Sequence, residues 1–374
     1  MASSVHLFKL RGIAVKMHLT FPFILIWSAF QFGVLNHLGW RGAVFGVVVT
    51  LLLFIIVILH ELGHSLAALH YDVPVNQIIL LPLGGVSQLA RMPEKPIQEF
   101  MIAIAGPMVN LLLALALSVL GFLAGLRIPG GLTAGFLTLL PISAQSVFGY
   151  IFASNLFLGF FNVFPAFPMD GGRILRAILA SRMKYSRATV IAVSIGQGLA
   201  ILLGLWGLLG GGFILVLIAI FIFFGAEQEG HVAQLRSVLE DVIVDQAYSR
   251  QIYVLHAEDR LQDVIDTSMR TIQDDFPICE GERFLGMLSK KSLFEAAASH
   301  SLDSPVVMFM DRGVEPVQVG ESLFAVQQRL AQEKRSSLPV LDDGHLVGLI
   351  TTRDISETYN LLAHRPDILI SRNH

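Results

Sequence analysis

Cysteine and charged residues are both scarce in this 374-residue sequence, and each scarcity excludes a class of protein. The single cysteine, Cys279, cannot form a disulfide within the chain and cannot support a thiolate metal cluster. Charged residues make up only 15% of the sequence, whereas hydrophobic residues make up 54%. A mean hydropathy of +0.65 is too high for an ordinary soluble protein, so the composition favours a membrane protein.

Charge is distributed unevenly along the chain. Residues 1–226 contain twelve Lys/Arg and five Asp/Glu, whereas residues 227–374 contain fourteen and twenty-four, which gives balances of +7 and −10. The sequence therefore predicts an apolar membrane part over residues 1–226 and an acidic, water-soluble part after a boundary near Glu227. We expect no nucleic-acid partner for either part.

Six apolar runs in the first part are long enough to cross a membrane, because about twenty apolar residues span its hydrocarbon core. The predicted spans are 18–36, 43–66, 100–125, 146–166, 188–209 and 211–226. A further apolar stretch at 132–142 is short and bounded by Gly and Pro, so we interpret it as a loop or a helix extension. The first part is therefore predicted to be an α-helical polytopic membrane protein.

The distribution of positive charge predicts the orientation of these spans. Ten of the twelve basic residues fall on one side, and only Arg41 and Arg127 fall on the other. The ten are Lys9, Arg11, Lys16, Arg91, Lys95, Arg173, Arg176, Arg182, Lys184 and Arg187. We expect a multi-pass protein of the cell membrane, in particular of a prokaryotic plasma membrane. Both termini are expected in the cytosol.

The most informative motif is His60-Glu61-Leu62-Gly63-His64, which follows seventeen uncharged residues at 43–59. An HExxH motif places two imidazoles one turn apart on the same helix face, where both can bind one tetrahedral Zn²⁺. The Glu61 carboxylate lies beside them and can take a proton from metal-bound water. Ionisable groups at bilayer depth are costly, so we interpret the motif as a metal site, toward the cytosolic side.

A catalytic site with two histidines needs a third protein ligand and an open position for water. The acidic residues before the boundary are Glu61, Asp72, Glu94, Glu99 and Asp170. Asp170 follows two prolines that break the end of the fourth span, so its carboxylate is expected on irregular backbone beside a helix end. Such backbone is tolerated in a membrane where it is buried in protein or faces a wet cavity. The alternative is a helix C-terminus with a solvated Asp170.

Together these residues resemble the site-2 protease family of intramembrane zinc metalloproteases. The resemblance rests on HExxH, on N-x-x-P-x-x-P-x-D-G at residues 162–171, on Gly106-Pro107-x-x-Asn110 and on the Gly84-Gly85 pair. It covers about residues 15–226 and implies that His60, His64 and Asp170 bind one Zn²⁺ and that Glu61 is the general base. It also implies cleavage of peptide bonds in or near the transmembrane segments of single-span membrane proteins.

Two asparagines in these motifs have predicted roles. The resemblance suggests that Asn162 donates a hydrogen bond to the developing oxyanion or to the substrate backbone. The alternative is that Asn162 bridges backbone groups freed by Pro165. For Asn110 we expect a hydrogen bond between helices rather than a catalytic role.

Residues 75–91 are apolar but too short and too often interrupted by Pro and Gly to form a span. We predict a small re-entrant β-hairpin with its turn at residues 82–85, in agreement with the membrane-embedded sheet that the family has here. An exposed strand edge can pair with an unwound substrate through main-chain hydrogen bonds, so Gly84 and Gly85 are predicted substrate-binding residues. The alternative is an interfacial loop.

Residues 240–300 and 305–362 form two copies of one pattern of strands followed by a helix. Phe276-Pro-Ile aligns with Leu338-Pro-Val, and residues 284–289 align with 346–351. The pattern resembles a tandem pair of CBS domains, an α/β fold. The second copy keeps the G-h-h-[ST]-x-x-D motif at residues 348–354, whereas the first has Ser292 in place of the aspartate.

This second resemblance implies an adenine nucleotide whose ribose and phosphate face Thr351 and Asp354, and a homodimer formed through the CBS pair. Nucleotide sensing and purely structural dimerisation both stay open. The prediction for the whole chain is a zinc-dependent intramembrane endopeptidase regulated through cytosolic CBS domains. The alternative is a CBS-regulated membrane transporter or channel that uses intramembrane His and Asp. The spacing of the HExxH motif and the single, well-placed Asp170 argue against this alternative.

Overall fold

A computed structural model describes residues 4–82, 84–89, 95–127, 142–281 and 283–365. The chain divides into two compact units, Met1–His231 and Val232–His374. The apolar stretch predicted as a loop or helix extension, 132–142, lies outside the described residues except for Ile142.

The first unit is mainly helical. Its helices are α1 (Pro22–Phe30, continued by a π-helix, Gln31–Leu35), α2 (Gly39–His70), α3 (Pro96–Leu123), α4 (Ala144–Val163), α5 (Asp170–Ala180), α6 (Tyr185–Leu209) and α7 (Phe213–Leu239). Within the described residues, α2, α3, α4, α6 and α7 are long and apolar enough to cross a membrane. They correspond to the last five predicted spans, so the predicted class, an α-helical polytopic membrane protein, is confirmed.

The first predicted span, 18–36, is shorter in the structure than in the prediction. Its apolar helix runs from Pro22 to Leu35. Fourteen helical residues rise about 21 Å, less than the roughly 30 Å of a hydrocarbon core. The physical reason is that the preceding residues, Ile13–His18, form a strand and that Pro22 fixes the start of the helix.

A four-stranded sheet accompanies these helices, with the order β1 (Ser4–Leu10), β2 (Ile13–His18), β3 (Val75–Leu81) and β4 (Gly84–Leu89). Strands β3 and β4 are antiparallel, with Leu81 opposite Gly84, so the predicted hairpin is confirmed. The sequence did not predict that β3 would also pair in parallel with β2. Buried side chains of β2 and β3, among them Val15 and Ile78, pack against Phe54 and Val57 of α2.

The second unit contains two similar copies of a strand–helix–hairpin–helix pattern, as the sequence predicted. The first copy has β5 (Leu255–His256), α8 (Leu261–Arg270), β6 (Asp275–Glu280), β7 (Arg283–Ser289) and α9 (Lys290–Ser299). The second has β8 (Val317–Gln318), α10 (Leu323–Glu333), β9 (Ser337–Asp342), β10 (His345–Thr351) and α11 (Thr352–His364). The strands form one sheet in the order β5-β6-β7-β10-β9-β8, and the copies join where β7 meets β10.

Candidate metal centre

The two histidines of the HExxH motif lie on a buried face of α2. His60 is 4% exposed and His64 is 9% exposed, and their Nε2 atoms are 3.1 Å apart. The sequence has no proline between them, α2 continues unbroken through Gly63, and four residues make about one helical turn. The Nε2 atoms of both imidazoles therefore face one common point beside α2, as the motif predicted.

Asp170 reaches the same place from the start of α5. Its Oδ2 lies 3.2 Å from Nε2 of His60 and 3.1 Å from Nε2 of His64. Residues 164–169 are not helical, so the predicted irregular backbone is confirmed. Asp170 begins a helix, and its side chain is only 14% exposed, which contradicts the alternative of a solvated residue at a helix C-terminus.

The two glycines after Asp170 allow the start of α5 to pack closely against the non-helical residues 164–169. A Cβ at Gly171 would overlap the Phe164 carbonyl, and one at Gly172 would lie 2.6 Å from the Phe167 backbone nitrogen. Residues with side chains would therefore push α5 away from the irregular segment, and Asp170 would move with it.

The three donor atoms form a triangle with edges of 3.1–3.2 Å. Zinc bonds of about 2.0–2.1 Å at tetrahedral angles give donor separations of roughly 3.3–3.4 Å. Two imidazole nitrogens and one carboxylate oxygen are also donors that zinc accepts. The residues therefore fit one zinc ion with three protein ligands and an open fourth position.

Helix α3 orients both imidazoles. Nδ1 of His64 donates to the carbonyl of Ile102 at 2.7 Å, and Nδ1 of His60 lies 3.1 Å from Oδ1 of Asn110. A carbonyl oxygen only accepts, so Nδ1 carries the proton and Nε2 keeps its lone pair for a metal. The amide of Asn110 is oriented in turn by Asn155, whose carbonyl accepts from Nδ2 at 3.4 Å. The predicted interhelical role of Asn110 is confirmed.

Glu61 lies between the histidines and the hairpin. It is 9% exposed, and its Oε2 accepts a hydrogen bond from Oγ of Ser87, on β4, at 2.6 Å. Gly85, two residues earlier on the same strand, approaches so closely that a Cβ would lie 2.7 Å from Cγ of Glu61. Sequence reasoning missed Ser87, and the available signal was its two-residue spacing from Gly85 on a predicted strand.

One cavity contains all the residues that the sequence predicted for this site. His60, Glu61, His64 and Asp170 line it together with Asn162, Gly84 and Gly85. Ser87 and Arg173, which were not predicted, line it as well. Within the described residues, the side chain of Asn162 hydrogen-bonds to no other residue, which leaves its amide available to a ligand.

A buried ion cluster, also absent from the predictions, holds α5 in place. Arg176 is 2% exposed and binds Glu99 of α3 and, at 3.0 Å, Glu229 of α7. Its guanidinium also lies over the rings of Phe167 and Tyr185, 4.9 and 5.0 Å from their centroids. Arg176 follows Asp170 by six residues on the same helix, so the cluster fixes the element that supplies the carboxylate.

In the second unit, Thr351 and Asp354 lie together in a cavity lined by residues of both copies, among them Tyr253 and Asp275. Oγ1 of Thr351 donates to Oδ2 of Asp354 at 2.7 Å, and Oγ of Ser249 donates to Oδ1 at 2.9 Å. The pair also caps α11, because the backbone N–H of Asp354 donates to Oγ1 of Thr351. In the first copy, Ser289 and Ser292 make the equivalent contact at 2.8 Å.

Comparison with known proteins decides the family. The model for peptidase family M50 matches residues 48–205, and the model for the CBS domain matches residues 306–360. A zinc metalloprotease from Methanocaldococcus jannaschii is 30% identical over 367 residues, which are 98% of this chain and 98% of that protein. The chain belongs to peptidase family M50.

A solved structure, the site-2 protease from Methanocaldococcus jannaschii, is 39% identical to this M50 peptidase. The match covers 61% of this chain and 95% of the other, with a TM-score of 0.44. The predicted family, a metalloprotease with a C-terminal CBS domain, is therefore confirmed by the family matches and by the related sequence. The five long apolar helices found among the described residues make this M50 peptidase a multi-pass membrane protein.

Proposed function

We propose that this M50 peptidase is an intramembrane endopeptidase that cleaves single-span membrane proteins in or near their transmembrane segments. His60, His64 and Asp170 would hold one zinc ion, and Glu61 would be the general base. The observation that carries the proposal is the triangle of three donor atoms, 3.1–3.2 Å apart, in one cavity with Glu61. An ion path needs no general base, so the Glu61 carboxylate beside the triangle favours a hydrolase over a transporter or channel.

Each of these residues has its own proposed role in the hydrolysis. Bound zinc supplies a Lewis acid and a water of lowered pKa. The Glu61 carboxylate takes the proton from the attacking water and returns it to the leaving amine nitrogen. The side-chain amide of Asn162 donates to the carbonyl oxygen of the scissile bond as negative charge develops there.

Strand β4 is the proposed substrate-binding element. The sheet ends at β4, so within the described residues its outer edge has no strand partner. Gly84 and Gly85 line the cavity beside Glu61, so a substrate segment that adds to this edge runs past the general base. Main-chain hydrogen bonds to β4 replace those that the substrate helix loses when it unwinds.

Control of this activity is proposed to lie in the CBS pair. Thr351 and Asp354 would bind the ribose and phosphate of an adenine nucleotide, because their cavity already presents an oriented carboxylate. The pair would also form a homodimer. The surplus of positive charge on one side of the spans supports cytosolic termini and a catalytic site toward the cytosol, with the short helix Pro22–Leu35 proposed as the first of six crossings.

The deciding experiment compares the purified parent with Glu61→Gln in proteoliposomes that contain a single-span substrate. Glu61→Gln is expected to keep one zinc per chain and to lose about 10²- to 10⁴-fold in cleavage rate, because only the proton acceptor is removed. Asp72→Asn is a matched acid-to-amide control outside the cavity. Parental cleavage by Glu61→Gln would refute the role of Glu61, and cleavage that survives full removal of zinc would refute the metal mechanism.

A further inference from the structure

We propose that Ser87 is a positioning residue that holds the Glu61 carboxylate in its working orientation. The substrate-binding strand would thereby also set the general base. The inference rests on the proposed role of Glu61 and goes beyond it, because it couples two functions of the site through one hydroxyl group.

The first support is the hydrogen bond itself. Oγ of Ser87 lies 2.6 Å from Oε2 of Glu61, a separation typical of a hydroxyl that donates to an ionised carboxylate. Within the described residues, Ser87 is the one side chain that hydrogen-bonds this carboxylate. Oε1 therefore stays available to the water whose proton Glu61 is proposed to take.

The second support is a buried hydroxyl behind Ser87. Oγ of Ser65, a fully buried residue of α2, lies 3.2 Å from Oγ of Ser87. Ser87 has one hydroxyl proton, and Oε2 of Glu61 at 2.6 Å is a closer acceptor for it than the backbone carbonyl of Glu61 at 3.2 Å. Ser65 then donates to Ser87, so the hydroxyl is oriented from both sides before any substrate binds.

The third support is the geometry of β4. Gly85 and Ser87 are two residues apart, so they lie on the same face of the strand. Gly85 approaches the Glu61 side chain at its Cγ, and Ser87 binds it at the carboxylate. Strand β4 thus confines the Glu61 side chain at two points, and the outer edge of the same strand is the proposed binding site for substrate. A substrate that steadies β4 also steadies the base.

The test measures kcat and KM for cleavage of a single-span substrate in proteoliposomes. Ser87→Ala should lower kcat about 10- to 100-fold, the usual effect of losing a group that orients a catalytic residue, with KM within about twofold and one zinc per chain. Ser87→Thr keeps a hydroxyl at the same place and should restore most of kcat. Ser28→Ala is the matched control, because it removes another buried hydroxyl, which accepts from Thr50 at 2.8 Å.

Each other outcome overturns the inference. A rise in KM at unchanged kcat would mean that Ser87 contacts substrate, and loss of zinc would mean that it acts on the metal ligands. Equal behaviour of the Ala and Thr variants, or parental kinetics of Ser87→Ala, would show that the hydroxyl is not needed. The proposed function is judged separately, because inactive Glu61→Gln beside an unaffected Ser87→Ala would keep Glu61 as the base and reject Ser87 alone.

Discussion

Oδ1 of Asn110 lies 3.1 Å from Nδ1 of His60, so a side chain of α3 sets the orientation of a candidate zinc ligand on α2. Asn110→Ala should therefore weaken zinc binding about 10- to 100-fold, as losses of groups that orient metal ligands do. Competition with a calibrated chelator measures this affinity. Unchanged affinity would show that the contact only joins the two helices.

Asp170 should be required for the metal as well as for activity. Asp170→Ala removes one corner of the donor triangle and leaves two histidines, too few for a tight catalytic zinc site. We expect loss of zinc by metal analysis and loss of cleavage together, in contrast to the retained zinc of Glu61→Gln. Stoichiometric zinc in Asp170→Ala would exclude Asp170 as a ligand.

Gly106 should tolerate no side chain, because a Cβ there would overlap the imidazole of His64 and lie 2.7 Å from Nε2 of His60. Gly106→Ala is expected to abolish zinc binding by forcing α3 away from α2. Gly198→Ala is the matched control, since the Cβ there meets no atom within 4 Å. Metal content and helicity by circular dichroism, compared for the two variants, separate a local clash from misfolding; full zinc content in Gly106→Ala contradicts the expectation.

Asp354→Ala should weaken adenine-nucleotide binding and abolish any nucleotide-dependent change in cleavage, because it removes the acceptor proposed for ribose hydroxyls. Isothermal titration calorimetry with ATP and with AMP measures the binding. Asp303→Ala provides the control, since Asp303 makes an exposed ion pair with Arg260 in the same unit. No binding to the parent at millimolar nucleotide would leave the CBS pair as an assembly module.

The arrangement of the candidate metal site could be predicted because its residues obey short-range rules. The spacing of His60 and His64 fixes their common face on any helix, and Asp170 follows helix-breaking prolines. Ser87 and Arg176 obey no such rule. Each gains its partner only when distant segments of the chain pack together. Ser87 on β4 binds Glu61 on α2, and Arg176 on α5 binds Glu99 on α3.

The dependence on distant segments also explains which strand pairing the sequence did not predict. The hairpin at Val75–Leu81 and Gly84–Leu89 follows from local Pro and Gly residues and was predicted. Its parallel pairing with Ile13–His18 joins segments about sixty residues apart, and no local pattern specifies such a partner. The overlong first span has the same origin, because His18 ends the strand that pairs with β3 and residues 19–21 form a turn before the helix begins at Pro22.

The cluster around Arg176 has a consequence for the order in which the enzyme matures. Arg176 stands on the helix that supplies Asp170, but one of its two carboxylates, Glu229, follows 53 residues later in the chain. During synthesis, Arg176 can therefore pair with Glu99 at once, but it gains its second carboxylate partner only after the last membrane helix has been made. The helix that supplies Asp170 therefore gains its last ion pair, and the candidate metal site its final support, only when the last membrane helix packs against it.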